Sequence, residues 1–126
     1  GSNYFVPTLL ADVTSGMRVY REENFSPVAG VLAWDNIEQL IGQANDTEYG
    51  LAAYVYGYDI RQIWQLMRGL EFGMVSVNSV KMTGPPVPFG GVKQSGLGRE
   101  GSSHGLDEYS QIKYYCLGNL PSVSGC

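Results

Sequence analysis

Apolar and polar residues fall into alternating blocks that predict a β-α-β-α-β unit in the middle of the chain. Short apolar runs of strand length begin at Val28, Leu51 and Met74, and two stretches with helical periodicity separate them. The predicted strands cover residues 28–34, 51–58 and 74–77. Strands and helices that alternate in this way favour parallel strands joined by right-handed crossovers, so the predicted fold class is α/β.

Each of the two predicted helices begins at an aspartate and presents one apolar face. Asp35 is the expected N-cap of the first helix, with Glu38 three residues later completing a capping box. Asp59 is the expected N-cap of the second helix, which Gly73 is expected to end. The residues predicted to face inward at helical spacing are Ile37, Leu40, Ile41 and Ala44 in the first helix and Ile60, Ile63, Trp64, Met67 and Leu70 in the second.

The flanking segments add elements at both ends. Residues 4–10 are β-prone but interrupted by Pro7, which predicts an edge strand or an extended lead-in. A short helix is predicted over 102–109, and a last strand rich in aromatic and β-branched residues over 112–117. Two helices on one face leave the other face of a parallel sheet bare, and the last strand has no partner edge. We therefore expect a part of a larger protein or an oligomer.

A glycine-rich loop, defined here as residues 88–100, is predicted to be ordered. It contains too much glycine for a helix or strand, yet Phe89, Val92 and Leu97 give it apolar anchors that a flexible linker lacks. Residues 96–101 fit the dinucleotide pattern G-x-G-x-x-G literally. No buried strand precedes them and no carboxylate follows about 20 residues later, so a chance match is the favoured interpretation.

Composition and charge narrow the possible functions. A chain of 126 residues suits one domain with a modest core, and its formal charge of −4 without a basic stripe argues against a nucleic-acid partner. No apolar run is long enough to cross a membrane, and no signal peptide is evident, so no membrane partner is expected. Two cysteines near the end make no disulfide framework, which favours the cytoplasm.

Candidate catalytic side chains are scarce. No histidine and cysteine cluster has ligand spacing, so no metal is expected. His104 is interpreted as a surface or capping residue, and Cys116, in a predicted apolar strand, as a small buried hydrophobe. The acidic pair Glu22 and Glu23 precedes Phe25. A carboxylate there can accept ribose hydroxyls beside an aromatic that supports a flat ring, but a solvated acidic turn is the alternative.

Three motifs resemble those of the aldehyde dehydrogenase superfamily. Residues 22–28 resemble E-E-x-F-G-P-V, with Ser26 in place of the glycine. Residues 44–53 resemble A-N-x-x-x-Y-G-L-A-A, and the glycine-rich loop resembles P-F-G-G-x-K-x-S-G-x-G-R-E. The motifs occur in order and cover nearly all of residues 4–120. The resemblance places the chain at the C-terminal end of such an enzyme, and residues 91–113 look most similar to succinate-semialdehyde dehydrogenases.

The resemblance implies roles for five residues. Glu23 would hold the ribose hydroxyls on the nicotinamide side of NAD or NADP, Phe25 would pack beside the nicotinamide, and Leu51 would lie near the same ring. Phe89 would line the aldehyde channel. Thr83 falls where related semialdehyde enzymes place a serine that binds the substrate carboxylate, and a threonine hydroxyl can do the same. The implied reaction is oxidation of succinate semialdehyde to succinate.

The resemblance also implies what the chain lacks. The nucleophilic cysteine, the general-base glutamate and the Rossmann cofactor domain of the family belong to upstream motifs that do not occur here, so no catalytic residue is assigned. We expect the polypeptide alone to be inactive. The alternatives are an aldehyde dehydrogenase for another aldehyde and a non-catalytic α/β module that oligomerises.

The expected organisation has four parts. Residues 1–3 have the composition of a tag remnant, and residues 4–110 would be a parallel, three-layer C-terminal piece of the catalytic domain. Residues 111–120 would form an oligomerisation strand that pairs identical subunits between Ile112 and Leu117, and residues 121–126 a flexible tail. Small aldehydes and a second copy of the chain are thus the expected partners.

Overall fold

The computed structural model describes residues 3–119, in which short strands and helices alternate. In chain order the elements are β1 (Thr8–Leu10), α1 (Arg18–Arg21), β2 (Val28–Gly30), α2 (Ile37–Asn45), β3 (Tyr49–Gly50), β4 (Ala52–Val55), α3 (Ile60–Gly69), β5 (Met74–Val77), β6 (Val92–Lys93) and a 3-10 helix (His104–Tyr109). The α/β class predicted from the sequence is confirmed.

The strands of the described chain form three separate pairs. β4 and β5 run parallel, with α3 as the crossover, as the sequence predicts. β3 and β6 are antiparallel. β2 pairs in parallel with β1, and backbone bonds from Thr8 N to Pro27 O and from Val31 N to Leu10 O extend that ladder. The parallel pairing predicted from the sequence is therefore found for β4 with β5, whereas β2 pairs with β1 and, among the described residues, with neither β4 nor β5.

Helix starts follow the sequence to within one residue. The Asp59 side chain accepts a hydrogen bond from Arg61 N at 2.9 Å and caps α3 as predicted. In α2 the cap is Asn36 rather than Asp35. Asn36 Oδ1 accepts from Gln39 N at 2.8 Å, and Gln39 Oε1 accepts from Asp35 N at 2.9 Å. The predicted cap is wrong by one position because Asn36 is as good an N-cap residue as Asp35, and Gln39 three residues later bonds to the backbone N–H of the residue before the cap.

Gly73 does not end α3, which stops at Gly69 with Leu70 in an extended conformation. A Cβ on Gly73 would collide with the carbonyl of Gly90 and lie 2.8 Å from Gly91 Cα. The residue is therefore glycine for a packing reason, since the glycine-rich loop rests directly on its backbone.

Few side chains of residues 3–119 are buried. Val13, Val55, Ile63 and Met74 form the apolar core. The predicted inward face of α3 is only partly correct: Ile63 is buried, whereas Ile60 and Trp64 remain 62% and 55% exposed and Met67 is exposed too. These side chains are exposed because no described element lies over that stripe.

The total accessible surface shows how open the chain is. A compact protein of 13.8 kDa exposes about 6,600 Å², but this chain exposes 10,531 Å². Much of its apolar surface therefore lacks cover within the chain itself. The bare faces inferred from the sequence pattern agree with this excess.

The segment after the 3-10 helix contains no assigned strand up to residue 119. The strand predicted over 112–117 has no ladder partner within the described chain, so its pairing across subunits stays a prediction. Ile112, Tyr114 and Leu117 are exposed. Cys116 is exposed as well, contrary to its expected burial, because this segment does not pack on the core. The predictions for residues 1–2 and 120–126, Cys126 included, lie outside the described residues.

Candidate functional site

The glycine-rich loop is closed on itself. Phe89 and Glu100 exchange two backbone hydrogen bonds of 2.8 Å each, which join the two ends of the loop. Inside it, Arg99 Nη1 donates to the carbonyl of Gly91 at 2.7 Å and to that of Gly98 at 2.6 Å. These bonds give the loop the order expected from its apolar anchors, and they fix the backbone that carries Phe89.

A second set of contacts attaches Leu51 to the same loop. β3 ends at Gly50 and pairs with β6, which lies within the loop. Ser95 Oγ accepts a hydrogen bond from Gly50 N at 2.9 Å. A Cβ on Gly50 would come within 2.7 Å of the Val92 side chain, so glycine is required for this close approach. The second and third sequence motifs therefore dock on each other.

Lys93 and Asn45 join the loop to both long helices. Lys93 Nζ donates to the carbonyls of Asn45 at 2.9 Å and Thr47 at 3.2 Å, and it lies 2.7 Å from the Glu71 carboxylate. A cation suits the carbonyl-rich C-terminus of α2. The Asn45 amide donates to Gly69 O at 2.7 Å and accepts from Glu71 N at 2.8 Å. Asn45 and Lys93 are both motif residues, so the sequence identifies them. It does not predict that they connect the glycine-rich loop to the ends of α2 and α3.

Leu51 and Phe89 line one open hollow of about 830 Å³. Arg99, Glu108 and Tyr109 border it on the side of the 3-10 helix. Two of the five predicted site residues thus come together. A leucine and a phenylalanine facing one cavity provide the apolar wall that a flat ring or a short aliphatic chain requires.

The neighbouring carboxylates Glu22 and Glu23 are in different environments. Arg18 makes two hydrogen bonds of 2.8 Å to Glu22, one to each carboxylate oxygen. These bonds, with the charge of the guanidinium, hold the pKa of Glu22 below its usual value and raise the pKa of Arg18. Among the described residues Glu23 has no such partner, so its oxygens are available to a ligand. Both residues line a shallow groove with Asn24 and Val28.

Phe25 and Thr83 lie apart from the hollow. The Phe25 side chain is 99% exposed, and Thr83 is exposed. Neither borders the cavity that contains Leu51 and Phe89, and Glu23 does not border it either. In the described chain only Leu51 and Phe89 share a cavity, whereas Glu23, Phe25 and Thr83 lie outside it, and the individual roles stay predictions.

Two other candidate chemistries find no support in residues 3–119. No group of three or more histidine, cysteine or acidic side chains could hold a metal ion there. His104 is exposed, with Nδ1 3.8 Å from the Asp107 carboxylate, in accord with the surface role expected for it.

None of the helices described is both long and apolar enough to cross a bilayer.

Comparison with known proteins identifies the class. The sequence matches the aldehyde dehydrogenase family over residues 1–115, and the chain belongs to that family. It is 70% identical over 125 residues to a protein of Halomonas elongata named aspartate-semialdehyde dehydrogenase (non-phosphorylating), covering 99% of this chain and 25% of that protein. It is 48% identical to a probable NADP⁺-dependent succinate-semialdehyde dehydrogenase of Sinorhizobium fredii, covering 93% of this chain and 24% of that protein.

Solved structures agree with this assignment. An NADP-dependent enzyme of E. coli superposes with a TM-score of 0.86 at 44% identity, over 94% of this chain and 25% of that one. The succinate-semialdehyde dehydrogenase of Burkholderia pseudomallei gives 0.84 at 49% identity, over 93% and 24%. A betaine aldehyde dehydrogenase of Staphylococcus aureus solved with NAD⁺ gives 0.80 at 38%, over 84% and 21%. The chain thus spans about a quarter of the length of these proteins.

Proposed function

We propose that the chain is the C-terminal part of an NAD(P)⁺-dependent aldehyde dehydrogenase that oxidises a four-carbon semialdehyde carrying a carboxylate. The observation that carries the proposal is the 70% identity to a protein named for aspartate semialdehyde, alongside relatives named for succinate semialdehyde. The two compounds share a four-carbon chain with an aldehyde at one end and a carboxylate at the other. They differ only by an α-amino group. Of the two, we propose succinate semialdehyde, which the resemblance of residues 91–113 favours and after which the Sinorhizobium fredii and Burkholderia pseudomallei proteins are named.

The cofactor contacts of this chain follow from the difference between the two glutamates. Among the described residues both oxygens of Glu22 are bonded to Arg18, whereas Glu23 has no such partner and can accept the two hydroxyls of the nicotinamide-side ribose. Phe25, almost fully exposed, can then lie beside the nicotinamide ring, with Leu51 near the same ring. NAD(P)⁺ would supply the hydride acceptor of the reaction.

The substrate contacts come from the segment before the glycine-rich loop and from the loop itself. Phe89 forms an apolar wall of the aldehyde channel and keeps water from the reacting carbon. The Thr83 hydroxyl donates a hydrogen bond to the substrate carboxylate. The nucleophilic cysteine and the general-base glutamate would come from the part of the enzyme that precedes this chain in sequence.

The direct test is the substrate preference of the full-length parent enzyme. We would measure kcat/KM for succinate semialdehyde, aspartate semialdehyde and butanal, with this chain alone as the blank. A strong preference for the acidic aldehydes with a silent blank supports the proposal. Equal rates with butanal would retain the family but remove the semialdehyde assignment, and Thr83→Ala should weaken that preference by raising KM for the acids only.

A further inference from the structure

We propose that Lys81 is a specificity-determining residue that binds the substrate carboxylate together with Thr83. The inference rests on the proposed function, because it names a second group for the same carboxylate. It follows from where Lys81 lies in the fold, from how its backbone is held and from its lack of a charge partner among the described residues.

Lys81 and Thr83 follow the carboxyl end of a parallel strand. β5 ends at Val77 and runs parallel to β4, so the segment over 78–84 begins at the edge where both strands end. In open α/β sheets this edge is where ligands bind. Lys81 and Thr83 are two residues apart in sequence, so their Cα atoms are separated by at most about 7 Å. One substrate carboxylate can therefore reach both side chains.

The start of this segment is held by an asparagine in an unusual conformation. Asn78 has φ of 51°, in the left-handed region that non-glycine residues seldom adopt. Its side-chain amide donates to Gly57 O at 2.8 Å and accepts from Gly57 N at 3.0 Å. Asn78 N also donates to Val55 O at 2.8 Å. The amide thus extends the β4–β5 ladder by one pair and sets the direction in which the chain leaves the sheet.

Two serines hold the next residues. Ser76 is buried, and its hydroxyl donates to Ser79 O at 2.7 Å. Ser79 Oγ in turn accepts from Lys81 N at 3.1 Å. The backbone that presents Lys81 is therefore fixed before any substrate arrives, which reduces the entropy lost on binding.

Lys81 is also the lysine without a partner in the described chain. Lys93 is bound to Glu71 and two carbonyls, and the ammonium of Lys113 lies 5.1 Å from the centre of the Tyr115 ring. Among residues 3–119, no ion pair or side-chain hydrogen bond engages the Lys81 ammonium. An ammonium beside a threonine hydroxyl provides a charge and a directed donor, the two elements that carboxylate recognition uses.

The Lys81 ammonium should also discriminate between succinate semialdehyde and aspartate semialdehyde. In aspartate semialdehyde a positive amino group lies on the carbon next to the carboxylate, so a lysine that binds the carboxylate also repels that group. Succinate semialdehyde has no charge at this carbon. Lys81 should accordingly favour the acid without the amino group.

The test compares variants of the full-length parent on succinate semialdehyde and butanal. Lys81→Met should lower kcat/KM for succinate semialdehyde about tenfold through a higher KM, as loss of a charge-assisted hydrogen bond predicts, and leave butanal unchanged. Lys81→Arg should retain most of the preference. On aspartate semialdehyde the loss should be smaller. Arg68→Met, which removes an exposed cation from α3 instead, is the matched control and should change neither substrate.

The outcomes separate the two claims. If the wild-type parent prefers the acidic aldehydes and Lys81→Met keeps that preference, the role of Lys81 is overturned while the proposed function stands. If the wild type shows no such preference, the proposed function fails and the inference fails with it. An equal loss on both semialdehydes would keep the carboxylate contact and overturn the discrimination. Should the methionine variant not fold, Lys81→Gln makes the same comparison.

Discussion

At the scale of single residues, the difference between Glu22 and Glu23 is the most informative feature. The two adjacent carboxylates have the same intrinsic chemistry, yet one is held by two hydrogen bonds from Arg18 and the other has no such bond in the described chain. The resemblance to the family motif already implies the ribose role for Glu23 and none for Glu22. The bonds from Arg18 add a physical argument for the same proposed choice, because they occupy both oxygens of Glu22.

This choice gives the first prediction. In the parent enzyme, Glu23→Gln should raise KM for the nicotinamide cofactor about tenfold, because an amide accepts ribose hydroxyls more weakly than a charged carboxylate. Glu22→Gln is the matched control and should leave that KM nearly unchanged. The measurement is initial rate against cofactor concentration at saturating aldehyde. A larger effect at position 22 would reverse the assignment.

At the scale of elements, the sequence predicts what local rules decide and misses what neighbouring segments decide. The cap at Asp59 and the span of β5 are correct, because capping and strand propensity act over a few residues. The sequence predicts Gly73 as a helix end, because no local pattern reveals that Gly90, which is distant in sequence, lies against its backbone. The exposure of Trp64 could not be predicted from periodicity either, since periodicity identifies an apolar stripe and not the surface that covers it.

Gly73, which a distant loop contacts, and Gly42, which has no such contact, test the difference between long-range packing and local propensity. Gly73→Ala should lower the thermal midpoint of the parent by several degrees, because the new methyl group meets the carbonyl of Gly90. Gly42 lies inside α2, where a methyl group on its Cα would meet no neighbouring atom within 4 Å. Gly42→Ala should therefore raise stability by about 0.5–1 kcal/mol. A stable Gly73→Ala protein would show that the loop does not rest on this backbone.

The ion pair between α1 and the end of α2 predicts a pH dependence. Arg21 Nη2 lies 2.8 Å from Asp46 Oδ2, and this hydrogen bond lowers the pKa of Asp46 below its usual 3.8. A lowered folded-state pKa stabilises the protein above the usual value, and the gain is lost as pH falls through the lowered one. Asp46→Asn should thus reduce stability near neutrality and flatten its loss in acid, with the thermal midpoint measured against pH.

The control for this effect is Glu48→Gln, a nearby carboxylate that makes no ion pair among the described residues. Its acid profile should follow that of the wild type. If Asp46→Asn and the wild type lose stability in parallel as the pH falls, the ion pair does not hold α1 against α2.

At the scale of the whole molecule, the open surface is the dominant fact. The chain exposes 10,531 Å², and its described residues include few large buried side chains. The sequence anticipates this, because its parallel strands and last apolar segment lack covering partners. It cannot say where the bare surface lies, since that depends on which pairs of strands form. The family motifs imply a cofactor role for Leu51 and a channel role for Phe89, and only the structure shows that both line one cavity, from which Phe25 and Thr83 are separate in this part of the chain.

The proposed subunit contact is tested on this scale. Deleting residues 112–117 from the parent should lower its oligomeric state, because this exposed apolar segment is proposed to pair with a second copy. Light scattering after size-exclusion chromatography gives the molar mass directly. Replacing the solvent-exposed Arg61 with Ala serves as a control for non-specific effects. An unchanged mass after the deletion would place the subunit contact elsewhere.

The contacts of Lys93 and Ser95 also bear on the order in which the protein folds. They join residues 48 and 45 positions apart in sequence, whereas β4, α3 and β5 follow one another directly along the chain. Distant contacts form slowly because a long stretch of chain must first be brought together. The glycine-rich loop should therefore dock late, after the parallel pair, and a newly synthesised chain would acquire its Leu51 and Phe89 wall only at the last stage of maturation.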